Sequence, residues 1–231
     1  MINKLFFYLA YLPIRFYGRA AKPKDALVFM LSIHKRLLTL ISDRASDYEG
    51  GVHPKHRLMQ YHLFFTERMT PNEKVLDIGS GRGFLSFKMA EAGALVTGIE
   101  LSQKNVDTSK KLYLHKNLNF VQGDAWIDLP GEKFDTAVMS NVLEHIDNRV
   151  EFLKMVQAKN NPDRWLIRVP CFDRDWIVPM AKELGIDSRL DETHFTEFTI
   201  KSFEKEMNEA GLKPIHTQVV WGEIWSELKP L

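Results

Sequence analysis

The sequence is poor in cysteine: Cys171 is the only one among 231 residues. A single thiol excludes an intrachain disulfide and a zinc site built from several cysteines, and it is typical of proteins in a reducing cytoplasm. The sequence also lacks a strong charge of either sign, because 31 basic and 30 acidic residues leave a net charge of +1. Proteins that bind nucleic acid usually carry a basic surface, so the overall charge argues against a nucleic-acid partner.

Long hydrophobic runs are absent as well. The longest uncharged apolar run, Leu5 to Ile14, spans about ten residues, which is half of what a helix needs to cross a bilayer. Pro13 interrupts this run, and no small-residue cleavage site follows it. We therefore expect neither a signal peptide nor a membrane span, and we predict a cytoplasmic location.

The first 36 residues differ from the rest of the chain in charge. They hold seven basic residues and one acid, Asp25, whereas the remaining 195 residues hold 24 basic and 29 acidic groups. Six aromatic residues lie within the first 17 residues of this segment: Phe6, Phe7, Tyr8, Tyr11, Phe16 and Tyr17. Such a segment can lie on the anionic inner face of a membrane, or it can pack its rings on the neighbouring domain as a lid. Both interpretations remain open from the sequence.

Hydrophobic patterning divides the chain near residue 70. Residues 1–70 are predicted to form a helical extension, with a break near Pro23, a loop at residues 48–51 and a further helix from His53 to Met69. From Pro71 onward, short β-rich runs alternate with amphipathic helical runs, which predicts βαβ units and a parallel sheet. The five predicted strands are Lys74–Ile78, Leu95–Ile99, Asn119–Val121, Thr136–Met139 and Trp165–Val169.

The last part of the chain predicts a helix followed by a hairpin. Apolar residues recur on one helical face between residues 200 and 210, and Gly211 follows at the position where a helix ends in a left-handed residue. Lys213–Trp221 and Ile224–Leu228 are predicted as the two hairpin strands. Residues 71–231 are therefore predicted to be an α/β domain with a doubly wound, mostly parallel, seven-stranded Rossmann-like sheet that ends in an antiparallel β-hairpin.

The most informative motif is a glycine loop at residues 77–83, which read Asp-Ile-Gly-Ser-Gly-Arg-Gly after a strand and before a helix. Glycines at this turn permit positive φ and a close approach of a ligand to the backbone. Position 84 is Phe, where a dinucleotide fingerprint needs Gly or Ala, and the lysine of a P-loop is absent. Asp77 would repel a pyrophosphate, but it suits a ligand with an ammonium group, such as the methionine part of S-adenosylmethionine.

Two further acids follow the next two predicted strands. Glu100 ends the second strand, where a carboxylate can accept hydrogen bonds from both hydroxyls of a ribose. Asp124 follows the third strand, where it can accept a hydrogen bond from an adenine amino group. Each acid alone is equally well explained as a helix cap, but the three acids in register predict a site for S-adenosylmethionine.

On these motifs, residues 70–231 resemble the class I S-adenosylmethionine-dependent methyltransferases. Residues 134–146 resemble the small-molecule branch, such as the ubiquinone-pathway O-methyltransferases, and residues 170–199 resemble methyltransferases encoded with bacterial surface-polysaccharide genes. The resemblance implies that the glycine loop holds methionine, Glu100 holds ribose and Asp124 meets adenine. The cofactor-binding residues that it implies are Asp77, Gly79, Ser80, Gly81, Gly83, Glu100, Leu101, Asp124, Ala125 and Asn141.

Methyl transfer from a sulfonium mainly needs alignment, and a hydroxyl acceptor also needs a base. His145, just after the fourth strand, and His194, in the insertion after the fifth, are the two candidates. Each is also explained as a structural histidine, in which case Asp175 or simple alignment of a neutral amine is the alternative. No fixed ligand spacing supports a metal ion, so no metal site is predicted.

The acceptor is predicted to be small and polar. Arginines, a tryptophan and carboxylates are interleaved between residues 171 and 197, which suits a hydroxyl of a sugar, glycan or glycolipid. Three alternatives remain: N- or O-methylation of another metabolite such as a quinone precursor, binding of S-adenosylmethionine without catalysis, and RNA cytosine methylation with Cys171 as the nucleophile. The acidic body of the chain argues against RNA, and the oligomeric state is left open.

Overall fold

The computed structural model describes residues 4–231, so residues 1–3 of the predicted N-terminal segment lie outside the described residues. The helices are α1 (Lys4–Ala20), α2 (Pro23–Tyr48), α3 (Lys55–Met59), α4 (His62–Thr66), α5 (Phe84–Glu91), α6 (Gln103–Leu112), α7 (Arg149–Asn160), α8 (Ile177–Glu183) and α9 (Ile200–Glu209). The strands are β1 (Lys74–Ile78), β2 (Leu95–Glu100), β3 (Leu118–Gln122), β4 (Thr136–Ser140), β5 (Arg164–Pro170), β6 (Leu212–Val220) and β7 (Glu223–Pro230).

The chain divides into two compact units. A helical unit comprises Met1–Leu58 and Asp175–Arg189, and a sheet unit comprises Met59–Arg174 and Leu190–Leu231. In the helical unit, α1 continues through Pro13, and α2 begins at Pro23, whose fixed φ suits the first position of a helix. Of the helices in the described part of the chain, none combines the length and the apolar character that crossing a membrane requires.

The sheet unit confirms the predicted fold. Its seven strands lie in the order β3-β2-β1-β4-β5-β7-β6. The first five are parallel, and β7 runs antiparallel to both β5 and β6, so the hairpin closes the sheet as predicted. The carboxyl ends of the parallel strands meet at one edge, which is where doubly wound sheets bind ligands.

The two faces of the sheet each carry a hydrophobic core, because successive residues of a strand point to opposite faces. Leu76 and Met139 belong to one cluster, whereas Val75 and Val138 belong to the other. The central strands are therefore buried on both faces, which explains their nearly continuous apolar sequences. This packing fixes the strand ends from which the candidate site is built.

The prediction of one helix from His53 to Met69 was wrong. The structure has two short helices there, α3 and α4, and Gln60 between them adopts a positive φ of 46°. Phe64 and Phe65 of α4 are buried in the core of the sheet unit, and Phe64 contacts Trp225 with ring centroids 5.8 Å apart. The turn at Gln60 is therefore compensated by aromatic burial, which helical periodicity does not reveal.

Candidate active site

The glycine loop after β1 has the conformation that its sequence predicts. Gly79, Gly81 and Gly83 have φ values of 70°, 56° and 84°. The backbone N–H of Gly79 donates to the carbonyl of Ile99 at 2.8 Å, which ties the loop to β2. A Cβ on Gly79 would lie 2.5 Å from a methyl of Val142, but a Cβ on Gly81 would meet no described atom within 4 Å. The loop is therefore packed on its inner side and open at Gly81.

Glu100 connects this loop to the start of α6. One carboxylate oxygen accepts from the N–H of Gly81 at 3.0 Å, and the other accepts from the N–H of Ser102 at 3.0 Å and the side-chain amide of Asn105 at 3.2 Å. A carboxylate offers about four acceptor positions, so one remains for a ribose hydroxyl. Glu100 thus orients the loop besides offering the predicted ligand contact.

Asp77 lies beneath the glycine loop. Its carboxyl group is buried and accepts a hydrogen bond from the hydroxyl of Ser86 on α5. Burial, with a smaller contribution from the nearby charge of Glu100, raises the pKa of Asp77 to about 7, although the hydrogen bond from Ser86 acts to lower it. A ligand ammonium group close to this carboxyl would stabilise its charged form, as the predicted methionine contact requires.

The remaining predicted cofactor residues line the same edge. The Asp124 carboxylate accepts from the N–H of Trp126 at 2.9 Å, next to Ala125, and Leu101 is 67% exposed beside Glu100. The hydroxyl of Ser80 is buried and has no hydrogen-bond partner among the described residues. An orphaned hydroxyl and an open glycine beside an acid suit a bound polar ligand, so these residues fit S-adenosylmethionine.

Asn141 begins the loop after β4, which lies between the glycine loop and β5. It adopts a positive φ of 55°, and its N–H donates to the carbonyl of Arg168 at 2.8 Å. Its side-chain amide donates to Glu223 at 3.2 Å, while its side-chain oxygen is buried without a partner in the described chain. The next residue, Val142, packs on Gly79, so this loop contacts the glycine loop directly.

A buried ion pair that sequence reasoning missed supports this loop. Arg168 in β5 donates two hydrogen bonds to Glu223, at 2.6 and 3.0 Å, and the indole N–H of Trp225 donates to the same carboxylate at 3.0 Å. The guanidinium lies 3.8 Å from the ring centroid of Tyr61, and burial raises the pKa of Tyr61 to about 12. An arginine inside an otherwise apolar buried strand was the sequence signal for this pair.

His145 and His194, predicted separately, are brought together, with ring centroids 4.7 Å apart. The Nδ1 of His145 lies 2.9 Å from the hydroxyl of Thr193, which itself donates to Asp191 at 2.7 Å. Since the Thr193 proton is used on Asp191, His145 donates from Nδ1 and carries its lone pair on Nε2. Partial burial and the charge of His194 lower the pKa of His145, so it is neutral at pH 7.

Glu144 completes this cluster and was also missed. It is fully buried, and neither carboxylate oxygen has a hydrogen-bond partner among the residues that the structure describes. Burial raises the pKa of Glu144 to about 7. Ligand-type atoms of Glu144, His145 and His194 all lie within 4.8 Å of one another. Its position next to His145 was the only signal in the sequence.

Asp175, the alternative base, and Cys171, the nucleophile of the RNA alternative, both make local contacts in the structure. The Asp175 carboxylate accepts from the N–H groups of Ile177 at 2.6 Å and Val178 at 3.1 Å, so it caps the start of α8 in the helical unit. Cys171 is buried and donates to Asp173 at 3.1 Å. Burial raises the pKa of the Cys171 thiol to about 11, which disfavours the thiolate that an RNA cytosine methylase needs.

Comparison with known proteins supports the methyltransferase fold and function that the sequence motifs predicted. A family model described as a methyltransferase domain matches residues 50–217. Ubiquinone biosynthesis O-methyltransferase from Coxiella burnetii is 29% identical over 139 residues, which cover 57% of this chain and 59% of that protein. The protein of the same name from Actinobacillus pleuropneumoniae is 31% identical over 130 residues, covering 51% of this chain and 55% of that protein. The chain thus spans between half and two thirds of the length of these curated relatives.

Solved structures share the fold at low sequence identity. Magnesium protoporphyrin IX methyltransferase from Synechocystis, with S-adenosylhomocysteine bound, has a TM-score of 0.59 at 19% identity and covers 77% of this chain and 83% of that one. The structure titled DhpI-SAM-HEP complex has a TM-score of 0.61 at 18% identity and covers 86% of this chain and 97% of that one. With the family match extending over most of the sheet unit, the chain belongs to the methyltransferase-domain family of class I S-adenosylmethionine-dependent methyltransferases.

Proposed function

We propose that this chain transfers the methyl group of S-adenosylmethionine to a hydroxyl group of a small acceptor. The observation that carries the proposal is the paired histidines beside the cofactor loop. His145 and His194 follow the ends of β4 and β5, and the loop that holds His145 contacts Gly79 through Val142. A base next to the methyl donor is what a hydroxyl acceptor needs, whereas a neutral amine needs only alignment.

S-adenosylmethionine supplies an activated methyl group on a sulfonium. The acceptor oxygen forms a bond to this carbon while the carbon–sulfur bond breaks, and the hydroxyl proton leaves to a base. The Nε2 lone pair of His145 is available for that proton, because Thr193 holds Nδ1 as a donor. His194 is oriented in the same way by Glu197, whose carboxylate lies 3.3 Å from its Nδ1. The chain therefore provides two oriented imidazoles.

We favour a phenolic hydroxyl over the sugar hydroxyl that the insertion suggested. A phenol ionises near pH 10, about the value for tyrosine, so an imidazole can assist its ionisation more easily than that of an alcohol. The curated relatives are named for O-methylation in ubiquinone biosynthesis, which favours the same class of acceptor. A hydroxyl of a sugar, glycan or glycolipid is the alternative acceptor, and the experiment below tests it as well.

Methyl transfer to a catechol carboxylate and to a panel of sugar nucleotides tests the proposal. We expect turnover with the catechol, and we expect His145→Gln or His194→Gln to lower the rate by about 10²–10⁴-fold while affinity for S-adenosylmethionine is preserved. His216→Gln, an exposed histidine on β6, is the matched control. Turnover only with the sugar nucleotides would mean that the acceptor hydroxyl belongs to a sugar and not to a phenol. Full rates in both histidine variants would contradict the role of these residues.

We also propose that α1 lies on an anionic membrane surface, which would give access to an amphiphilic acceptor. Phe6 and Phe16 are 71% and 75% exposed, and most other aromatic side chains of α1 are exposed as well. The helix carries Lys4, Arg15 and Arg19, and it contains no acid. Exposed rings with a basic charge match the composition of helices that lie in the membrane interface.

Sedimentation with phosphatidylglycerol vesicles tests this surface. We expect the protein to pellet at low salt, to be released as salt rises, and to remain in solution with phosphatidylcholine vesicles. The double variant Arg15→Glu/Arg19→Glu should lose this binding. Lys110→Glu/Lys111→Glu, on exposed positions of α6, makes the same change in net charge and should keep it. Equal pelleting of both variants would contradict membrane docking through α1.

A further inference from the structure

The turn between β6 and β7 holds a large aromatic side chain in a conformation that does not suit it. The two turn residues, Trp221 and Gly222, have φ values of 55° and 75°. Two-residue hairpin turns with positive φ at both positions favour Asn-Gly. Gly222 meets this requirement at the second position. Trp221 does not meet it at the first, because a bulky side chain is strained at positive φ.

Packing of the Trp221 side chain does not offset this strain. Trp221 is 65% exposed, so most of its surface remains in contact with water. Trp225, on the adjoining strand β7, is in contrast 5% exposed and donates its indole N–H to Glu223. Residues in strained backbone conformations cluster at sites that bind ligands. A strained tryptophan that is also exposed is therefore a candidate for ligand binding.

The turn lies at the carboxyl edge of the sheet, where the candidate active site is built. Glu223, the first residue of β7, pairs with Pro170, the last residue of β5. Beyond this pair, the N–H of Cys171 donates to the carbonyl of Gly222 at 2.9 Å. Trp221 therefore stands beside the end of β5, the strand that leads into the insertion with His194.

A continuous series of contacts connects the turn to His194. Gly222 packs on Arg174, since a Cβ added to this glycine would lie 3.1 Å from the Cβ of Arg174. The Arg174 guanidinium donates to Glu197, whose carboxylate lies 3.3 Å from the Nδ1 of His194. All of these residues belong to the sheet unit. The exposed indole and one of the two proposed bases are thus held by the same local network.

We propose that the indole of Trp221 stacks on the aromatic ring of a phenolic acceptor and thereby selects this class of acceptor. Tryptophan binds flat rings through burial of its large apolar surface and through offset or edge-to-face ring contacts. A ring held at the tip of a short hairpin is also fixed in position before the acceptor arrives, which lowers the entropic cost of binding. The role of Trp221 rests on the proposed function, because the phenolic acceptor belongs to that proposal.

The neighbouring side chains favour an aromatic ring over a sugar. Arg174 and Asp191, two of the polar residues that suggested a sugar acceptor, are used within the protein. Arg174 also donates to the carbonyl of Cys171 at 3.0 Å, and Asp191 accepts from the hydroxyl of Thr193 at 2.7 Å. Phe195, the residue after His194, is in contrast 62% exposed. The segment that carries His194 therefore offers a second ring to an aromatic acceptor.

Calorimetry with a catechol carboxylate tests this role on the full chain saturated with S-adenosylhomocysteine, so that no methyl transfer is needed. Trp221→Asn removes the ring and relieves the strain, since asparagine tolerates positive φ. We expect affinity for the catechol to fall about tenfold or more, while the melting temperature rises by about 2–4 °C. Trp221→Phe keeps a ring and should stay within about threefold of the wild-type affinity. A merely structural role would change the melting temperature alone.

Trp176→Asn is the control, because it makes the same change at a tryptophan that is 68% exposed in the helical unit. It should bind the catechol as the wild type does. Three outcomes overturn the role of Trp221: no saturable binding of the catechol by the wild type, unchanged affinity in Trp221→Asn, or an equal loss in Trp176→Asn. Methyl transfer to the catechol with a wild-type KM in Trp221→Asn would leave the proposed function standing. Binding that depends on Trp221 without any methyl transfer would instead contradict the proposed function alone.

Discussion

The two sides of the sheet edge are built in different ways. On the cofactor side, the loops after β1, β2 and β3 use backbone groups and acids that lie next to the strand ends, such as Gly81 and Glu100. On the acceptor side, the loops after β4 and β5 use side chains that are far apart in the chain: His145 meets His194, and Arg168 pairs with Glu223. Local motifs therefore encode the predicted cofactor site, whereas tertiary packing assembles the site that we propose for the acceptor.

The largest expected effect is on the stability of the acceptor side. Glu223→Ala should lower the free energy of unfolding by about 3–5 kcal/mol, because it leaves the Arg168 guanidinium buried without its partner. Glu132→Ala removes an exposed carboxylate that pairs with Lys74 and should change stability little. Urea unfolding of both variants measures the difference. Similar losses in the two would mean that the buried pair does not support the acceptor side.

A smaller effect is expected on the cofactor side, at the open glycine. Gly81→Val should weaken binding of S-adenosylmethionine on the order of 100-fold, about 2.7 kcal/mol, because the branched side chain would occupy the approach to the loop. Gly185→Val, where φ is also positive at 75° and an added Cβ also meets nothing within 4 Å, is the matched control. Calorimetry that finds wild-type affinity in Gly81→Val would show that the ligand does not approach this loop.

The smallest effect concerns the buried acid under the loop. The pKa of Asp77 is raised from 3.8 to about 7, so the folded protein holds this proton more tightly than the unfolded chain. Its stabilising contribution is present below about pH 4 and is lost as the pH rises through about 7. Ligand-free Asp77→Asn should therefore exceed the wild type in stability at pH 8, on the order of 1 kcal/mol, and match it near pH 4.

Thermal unfolding at the two pH values checks this difference. Ser86→Ala is a useful companion, since it removes the hydrogen bond to Asp77 and leaves the carboxyl in place. Equal stability of Asp77→Asn and wild type at pH 8 would mean that the carboxyl group is not charged in a desolvated site. The glycine loop would then lack a desolvated, charged acid beneath it.

The sequence predicted the sheet well because its signals are local. Alternation of short apolar runs and helices located β1 to β5, and the glycine after α9 and the two final runs located the β6–β7 hairpin. The positive φ values at Gly79, Gly81 and Gly83 follow from the glycines themselves. These features depend on neighbouring residues, which a sequence shows directly.

The rest depends on packing between distant segments. The break at Gln60 between α3 and α4 is compensated by burial of Phe64 and Phe65, so helical periodicity alone predicted one continuous helix. Glu144 looks like an ordinary surface acid in the sequence, and only the fold places it, buried, beside His194. Sequence reasoning named both histidines but could not pair them.

The most direct test of the separation between the two sides is calorimetry with S-adenosylmethionine, which needs no acceptor. Glu100→Ala removes the predicted charged hydrogen-bonding partner of the ligand and the observed partner of Gly81, so affinity should fall about 10–150-fold, corresponding to about 1.5–3 kcal/mol. His145→Gln, on the acceptor side, should leave the affinity within about twofold of wild type. Unchanged affinity in Glu100→Ala, or an equal loss in His145→Gln, would contradict the division of the edge into a cofactor side and an acceptor side.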